Sequence, residues 1–161
     1  MKNSETFEVR TPGDREIVVT RVFDAPRRLV FEAFSKPELL KRWLLGPPGW
    51  EMIVCEVANK VGDGYRYVWR HADGQQMGIY GVCEEHVPPE KVVCTEHMEG
   101  IPGESRVTNL FVEEDGKTRL TLTVIYESQQ VRDMMIKSGM ARGVAASYDR
   151  LEALFASPAV A

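Results

Sequence analysis

The chain has 161 residues, 43% of them hydrophobic and 27% charged, with 24 acidic side chains against 20 basic ones and a formal net charge of −4. That length suits one domain, which buries roughly 70% of its unfolded surface and so can hold a sizeable core without staples. The acidic balance argues against a nucleic-acid partner, which usually needs a basic face.

The opening stretch MKNSETFEVRTPGDREI is polar and lacks the apolar core of a secretory signal. No run approaches the roughly 20 apolar residues of a membrane span, so no membrane insertion is expected and the implied location is cytoplasmic. Residues 1–14 read as a flexible leader ending in the turn cluster Thr11-Pro12-Gly13-Asp14. Glu16 to Phe23 alternates and is rich in β-branched residues, which predicts a strand. Asp24-Ala25-Pro26 then announces a helix carrying Leu29, Val30, Ala33 and Phe34 at helical spacing. Pro37 starts a second short helix with Leu39, Leu40 and Trp43 on one face, and Gly46-Pro47-Pro48-Gly49 stops it.

From Trp50 the period changes to two. Six strands are predicted: Trp50–Ala58, Gly64–Arg70, Met77–Val87, Lys91–Glu99, Ser105–Glu113 and Arg119–Ser128. Short breaks rich in Gly, Pro and Asp separate them, as in an antiparallel meander. Val131 to Ala156 carries one long helical pattern, with Met135, Gly139, Met140, Gly143, Val144, Ser147, Tyr148 and Leu151 on a broad face. The expected architecture is α+β: a curved antiparallel sheet of about six or seven strands wrapped around a long C-terminal helix. The domain would span 15–157, with 158–161 as a tail.

Asp24-Ala25-Pro26 with Val30-Phe31-Glu32-Ala33, Pro37-Glu38-Leu39-Leu40-Lys41-Arg42-Trp43, Gly62-Asp63-Gly64-Tyr65-Arg66, Gly81 to Val93 around Pro88-Pro89-Glu90, and Gly139-Met140 with Ser147-Tyr148-Asp149-Arg150-Leu151 occur in this order. Together they resemble the START/Bet v 1-like proteins (the SRPBCC superfamily), and within them the subgroup named after the activator of heat shock protein 90 ATPase. The resemblance covers about residues 16 to 156. It implies a helix-grip fold with a hollow between sheet and final helix. Cys83, Val144 and Tyr148 depart from the residues common at those sites, and all three are expected to line or border the hollow.

Tyr65, Tyr67 and Trp69 share one strand face because successive side chains alternate. They read as an aromatic wall of a ligand cavity or as a sheet face packed on the helix. Gly139 and Gly143, flanked by Met135 and Met140, read as a groove on the final helix, although core packing is the plainer account. Trp43 and Trp50 flank the Gly-Pro loop near the expected entrance. His71, His86 and His97 lie too far apart for a shared metal: a hairpin at Pro88-Pro89-Glu90 sets His86 opposite about Val92 and His97 opposite about Gly81. The same hairpin brings Cys83 close to Cys94 or Thr95, and with Cys55 these read as reduced thiols that pack as small apolar residues. Glu84 and Glu85 should point to opposite faces. Glu96 is the carboxylate that could serve in a cavity.

The sequence thus favours a non-enzymatic carrier or sensor of a small hydrophobic molecule. Its candidate ligand-binding residues are Trp43, Tyr67, Trp69, Cys83, Glu96, Met140, Val144 and Tyr148, with no cofactor or metal. Two alternatives stand beside it: a protein-interaction module related to chaperone ATPase activators, and a cyclase- or hydrolase-like enzyme using a cavity carboxylate. A homodimer and a chaperone partner both stay open.

Overall fold

A computed structural model describes residues 3–156, so the predicted tail at 158–161 lies outside the described residues. The strands are β1 (Glu8–Arg10), β2 (Glu16–Phe23), β3 (Trp50–Glu56), β4 (Gly64–His71), β5 (Gln76–Val87), β6 (Lys91–Met98), β7 (Ser105–Glu114) and β8 (Lys117–Ile125). They form one antiparallel sheet in the order β1-β2-β8-β7-β6-β5-β4-β3. The helices are α1 (Arg27–Ser35) and α2 (Pro37–Trp43) between β2 and β3, then α3 (Gln129–Lys137) and α4 (Met140–Phe155) after β8. This is the predicted α+β architecture, with eight strands where six or seven were expected.

Local chemistry explains most of these boundaries. β2 turns Ile17, Val19, Arg21 and Phe23 to the inner face, where all four are buried. Pro26 and Pro37 begin the two short helices, where a missing N–H costs nothing. Helix α1 buries Val30, Phe31 and Ala33, and α2 buries Leu40 and Trp43. Against them, Phe111 of β7 meets Phe31 with ring centroids 5.2 Å apart and Phe34 at 5.3 Å. Arg21 is one of several buried polar residues in this mostly apolar core, with Thr118, Arg132 and Ser147. Its Nη1 donates to Asp149 Oδ1 of α4 at 2.7 Å and its guanidinium lies 5.2 Å from the Phe23 ring centroid.

Three expectations need correction. Residues 8–10, placed in the leader, form β1, which pairs with Val18–Thr20 of β2. Three residues are too few to show alternation, although Phe7 and Val9 both pack on the core. The single long C-terminal helix is two helices. Ser128 caps α3 by accepting from Val131 N, and Gly139 breaks the run with a φ of 85°. Glycine takes that left-handed conformation without the steric penalty other residues meet. Finally, β5 carries a bulge between Cys83 and Glu85. The extra residue places Glu84 and Glu85 on the same outer side, where Arg106 reaches both, at 3.2 Å and 3.7 Å.

Candidate functional site

The aromatic packing around α1 and α2 fills one part of the space between sheet and helices. Elsewhere that space is hollow, a cavity of about 580 Å³. Its walls are the inner rows of β4 to β8, the 44–50 loop, and the facing sides of α3 and α4. The volume falls within the usual range for small-molecule sites.

Seven of the eight predicted ligand-binding residues line it: Trp43, Tyr67, Trp69, Glu96, Met140, Val144 and Tyr148. Cys83 does not. It pairs with Cys94 as the hairpin predicted, but Cys94 reaches the cavity while the Cys83 thiol turns to the Glu85 carbonyl, 3.4 Å away in the bulge. The bulge also moves the register by one beyond it. His86 faces Val92 as expected, whereas His97 faces Tyr80 and the partner of Gly81 is Glu96. Burial raises both facing thiols, Cys94 to about 12, so neither is ready to ionise at neutral pH. Among the described residues no three His, Cys, Asp or Glu side chains converge as a metal-ligand group.

The rim is held by backbone contacts. Trp69 donates its indole N–H to the Leu44 carbonyl at 2.7 Å. The Gly46 N–H donates to Ser147 Oγ at 2.9 Å, and Arg150 donates to the Gly46 carbonyl at 2.6 Å. The Cα of Gly143 faces Pro47, where a Cβ would make ordinary contact at 3.5 Å. Gly139 and Gly143 both line the cavity, Gly139 where the chain breaks between α3 and α4 and Gly143 where α4 meets the loop. Exposed Pro47 and Ser138 among the lining residues mark where the cavity meets solvent.

Away from the rim lies a polar floor. Tyr65 donates its hydroxyl to the Thr95 carbonyl at 2.9 Å and to Glu96 Oε1 at 3.2 Å. It reaches them by lying over Gly81, where a Cβ would overlap both the Thr95 carbonyl and the Tyr65 ring. Glu96 keeps some accessible surface and lines both the cavity and a small recess behind it. Burial lifts its carboxyl from 4.5 to about 7, with the Tyr65 hydrogen bond pulling the other way. The hydroxyls of Tyr67 and Tyr126 are raised by burial first and by nearby negative groups, Glu96 among them. Asn109 of β7 lines the cavity elsewhere, opposite Val92 in the row of His86 and four residues along β6 from Glu96, and its side-chain oxygen is buried without a partner among the described residues.

Sequence reasoning left Asn109 and Tyr126 out of the site. The first had a signal: Val107-Asn109-Phe111 is one polar residue in an otherwise apolar inner row. Tyr126 follows β8, where alternation gave no contrast to notice.

A hollow between a curved antiparallel sheet and a C-terminal helix defines the helix-grip fold. The chain belongs to the family described as activator of Hsp90 ATPase homolog 1-like protein, which it matches over residues 24–156. It is similar in structure to a protein from Rhodobacter sphaeroides, with 26% identity, a TM-score of 0.89, and 94% of this chain and 98% of that one covered. A protein from Chromobacterium violaceum is also 26% identical, with a TM-score of 0.77 and coverage of 87% and 96%. The AHSA1 protein from Silicibacter pomeroyi shares the fold at 21% identity, with a TM-score of 0.72 and coverage of 88% and 97%. No curated protein matches the sequence. Among the described residues no helix is long and apolar enough to cross a membrane.

Proposed function

We propose that the protein binds a small, mostly hydrophobic molecule in the cavity between sheet and α4, as a carrier or sensor. The observation that supports this most is the 580 Å³ hollow itself, lined largely by aliphatic and aromatic side chains in a core that is otherwise filled. Protein interiors normally close-pack, and an unfilled space of this size loses dispersion contacts that a ligand would restore. Trp69, Met140, Val144 and Tyr148 would supply most of the contact area, at about 25 cal/mol per Å² of apolar surface buried. Glu96 and the tyrosine hydroxyls would orient the ligand.

The test is native mass spectrometry of freshly purified protein, compared with the denatured mass and followed by extraction of any adduct. A reproducible apolar adduct is expected, and it should be lost in Val144→Trp, which fills the cavity from α4. A bare mass that no added apolar compound changes would shift the reading to a protein-interaction role, which the family description suggests. The exposed apolar side chains of the outer sheet face give that role less support: Tyr80 and Val82 of β5 stand opposite His97 and Thr95 of β6, whereas Leu110 of β7 stands four residues along, opposite Lys91. A doubled mass would add a homodimer. An enzyme would instead show turnover that Glu96→Gln removes while binding persists.

A further inference from the structure

From the distribution of hydrogen-bonding groups in the cavity we infer that its ligand is an amphiphile with a hydrogen-bond-donating head, an ammonium or amine group above all, and that carboxylate-headed molecules are rejected. This inference rests on the ligand-binding reading and names the ligand class.

Elimination fixes the place. Most polar side chains along the lining are tied to protein. Trp43 Nε1 donates to the Ala33 carbonyl, Trp69 Nε1 to that of Leu44, Ser35 Oγ to that of Phe31 and Ser138 Oγ to that of Met135. Ser147 Oγ accepts from Gly46 N. His86 lies edge-on to the Phe31 ring at 5.7 Å, on the side of the filled core. What remains for a ligand at the floor is the second carboxylate oxygen of Glu96 and the hydroxyls of Tyr67 and Tyr126; the unpartnered oxygen of Asn109 lies away from it in the row of His86, and the Tyr148 hydroxyl lies on α4.

Chemistry fixes the head group. Among the described residues that line the cavity, Glu96 is the only carboxylate, and no Lys or Arg is present. The groups facing Glu96 are Tyr65 and Tyr67 from β4, Cys94 from its own strand, Tyr126 after β8 and Met135 from α3. Behind it a small recess holds Glu104 and Glu127, which add negative charge. A carboxylate ligand would meet like charge with no counter-ion, whereas an ammonium would meet an acid and aromatic faces. Charge-assisted hydrogen bonds and cation–π contacts gain strength where water is excluded. Tyr65, Tyr67 and Trp69 stand in one row beside the acid, with neighbouring ring centroids 5.4 Å and 6.0 Å apart.

The test uses decylamine, decanol and decanoate, each below its micelle concentration, titrated from pH 5 to pH 9. Binding is read from intrinsic fluorescence, because all three tryptophans, Trp43, Trp50 and Trp69, line the cavity. At pH 8 decylamine should bind about tenfold or more tighter than decanol, and decanoate weakest. Amine affinity should rise as pH increases towards 8, because Glu96 ionises while the amine stays charged. Decanol should change little, and decanoate should weaken. Glu96→Gln should remove the amine preference and leave decanol binding in place. Equal affinities, or a preference for decanoate, would overturn the inference while leaving the ligand-binding reading standing. No response to any of the three, together with a bare native mass, would remove both. The pH profile of the unmodified protein decides the matter even if the variant does not fold.

Discussion

The rim and the floor of the cavity use hydrogen bonds in opposite ways. At the rim the polar groups of Trp69, Ser147 and Arg150 all engage backbone atoms of Leu44 and Gly46, and so hold a proline-rich loop against α4. At the floor Glu96, Tyr67 and Tyr126 are gathered by three different strands or their ends, yet most of their hydrogen-bonding capacity is unused, and further along β7 the Asn109 amide oxygen is unpaired among the described residues. Buried polar groups normally find partners because leaving one unpaired costs about 1–3 kcal/mol. Polar atoms that build the entrance and polar atoms kept available inside it are thus separable, and substitutions should separate them.

The largest effect is expected where the floor depends on an absent side chain. Gly81→Ala drives a methyl group into the Thr95 carbonyl and the Tyr65 ring. It should cost about 4 kcal/mol or more, read as a large drop in thermal midpoint, because backbone cannot move aside as a flexible side chain can.

Next comes Glu96→Gln. The carboxyl titrates at about 7 in the fold against an ordinary value of 4.5. The folded state therefore favours the protonated form. This group does not disfavour folding below 4.5, weakens the fold progressively between 4.5 and 7, and costs a constant amount above, about 3 kcal/mol at most. Parent and variant should unfold alike in urea at pH 4.5, with the variant gaining most of that difference by pH 8. A gap independent of pH would contradict the buried, ionisable floor.

The smallest effect belongs to the rim. Trp69→Phe keeps an aromatic ring but removes the donor to the Leu44 carbonyl, at a cost of about 1–2 kcal/mol with no pH dependence. Faster release of any bound molecule should accompany it in a stopped-flow dissociation experiment, because the loop is then less firmly held.

The sequence carried the fold well and the site partly. Alternation and turn chemistry located the meander because each strand buries one face, and β2 was predicted at its observed limits, Glu16 to Phe23. The division of the last helix was not legible, since Met135, Met140 and Tyr148 keep a helical stripe across the break and a glycine inside such a stripe can equally be a packing contact. Tyr67, Trp69 and Glu96 were found from strand alternation, resemblance and chemical type. Asn109 showed in the sequence only as one polar residue in the inner row Val107-Asn109-Phe111; that its amide oxygen goes unpaired is a property of neighbouring strands together and not of any one. Cys83 was misplaced because the β5 bulge, which turns its thiol towards Glu85, leaves no local signature in Cys83-Glu84-Glu85-His86.

That bulge also bears on how the protein can vary. One extra residue in a regular ladder would turn over every side chain beyond it, and the inner row of β5 would trade places with the outer. Here Ile79, Gly81 and His86 all stay on the inner side although Gly81 and His86 are an odd number of positions apart, because the bulge absorbs the surplus. Chain length at Glu84 is thereby uncoupled from the content of the interior. A descendant lacking that residue would lose one of the two carboxylates around Arg106 and keep the same cavity, so insertions and deletions can be tolerated here, in mid-sheet, as well as in the loops.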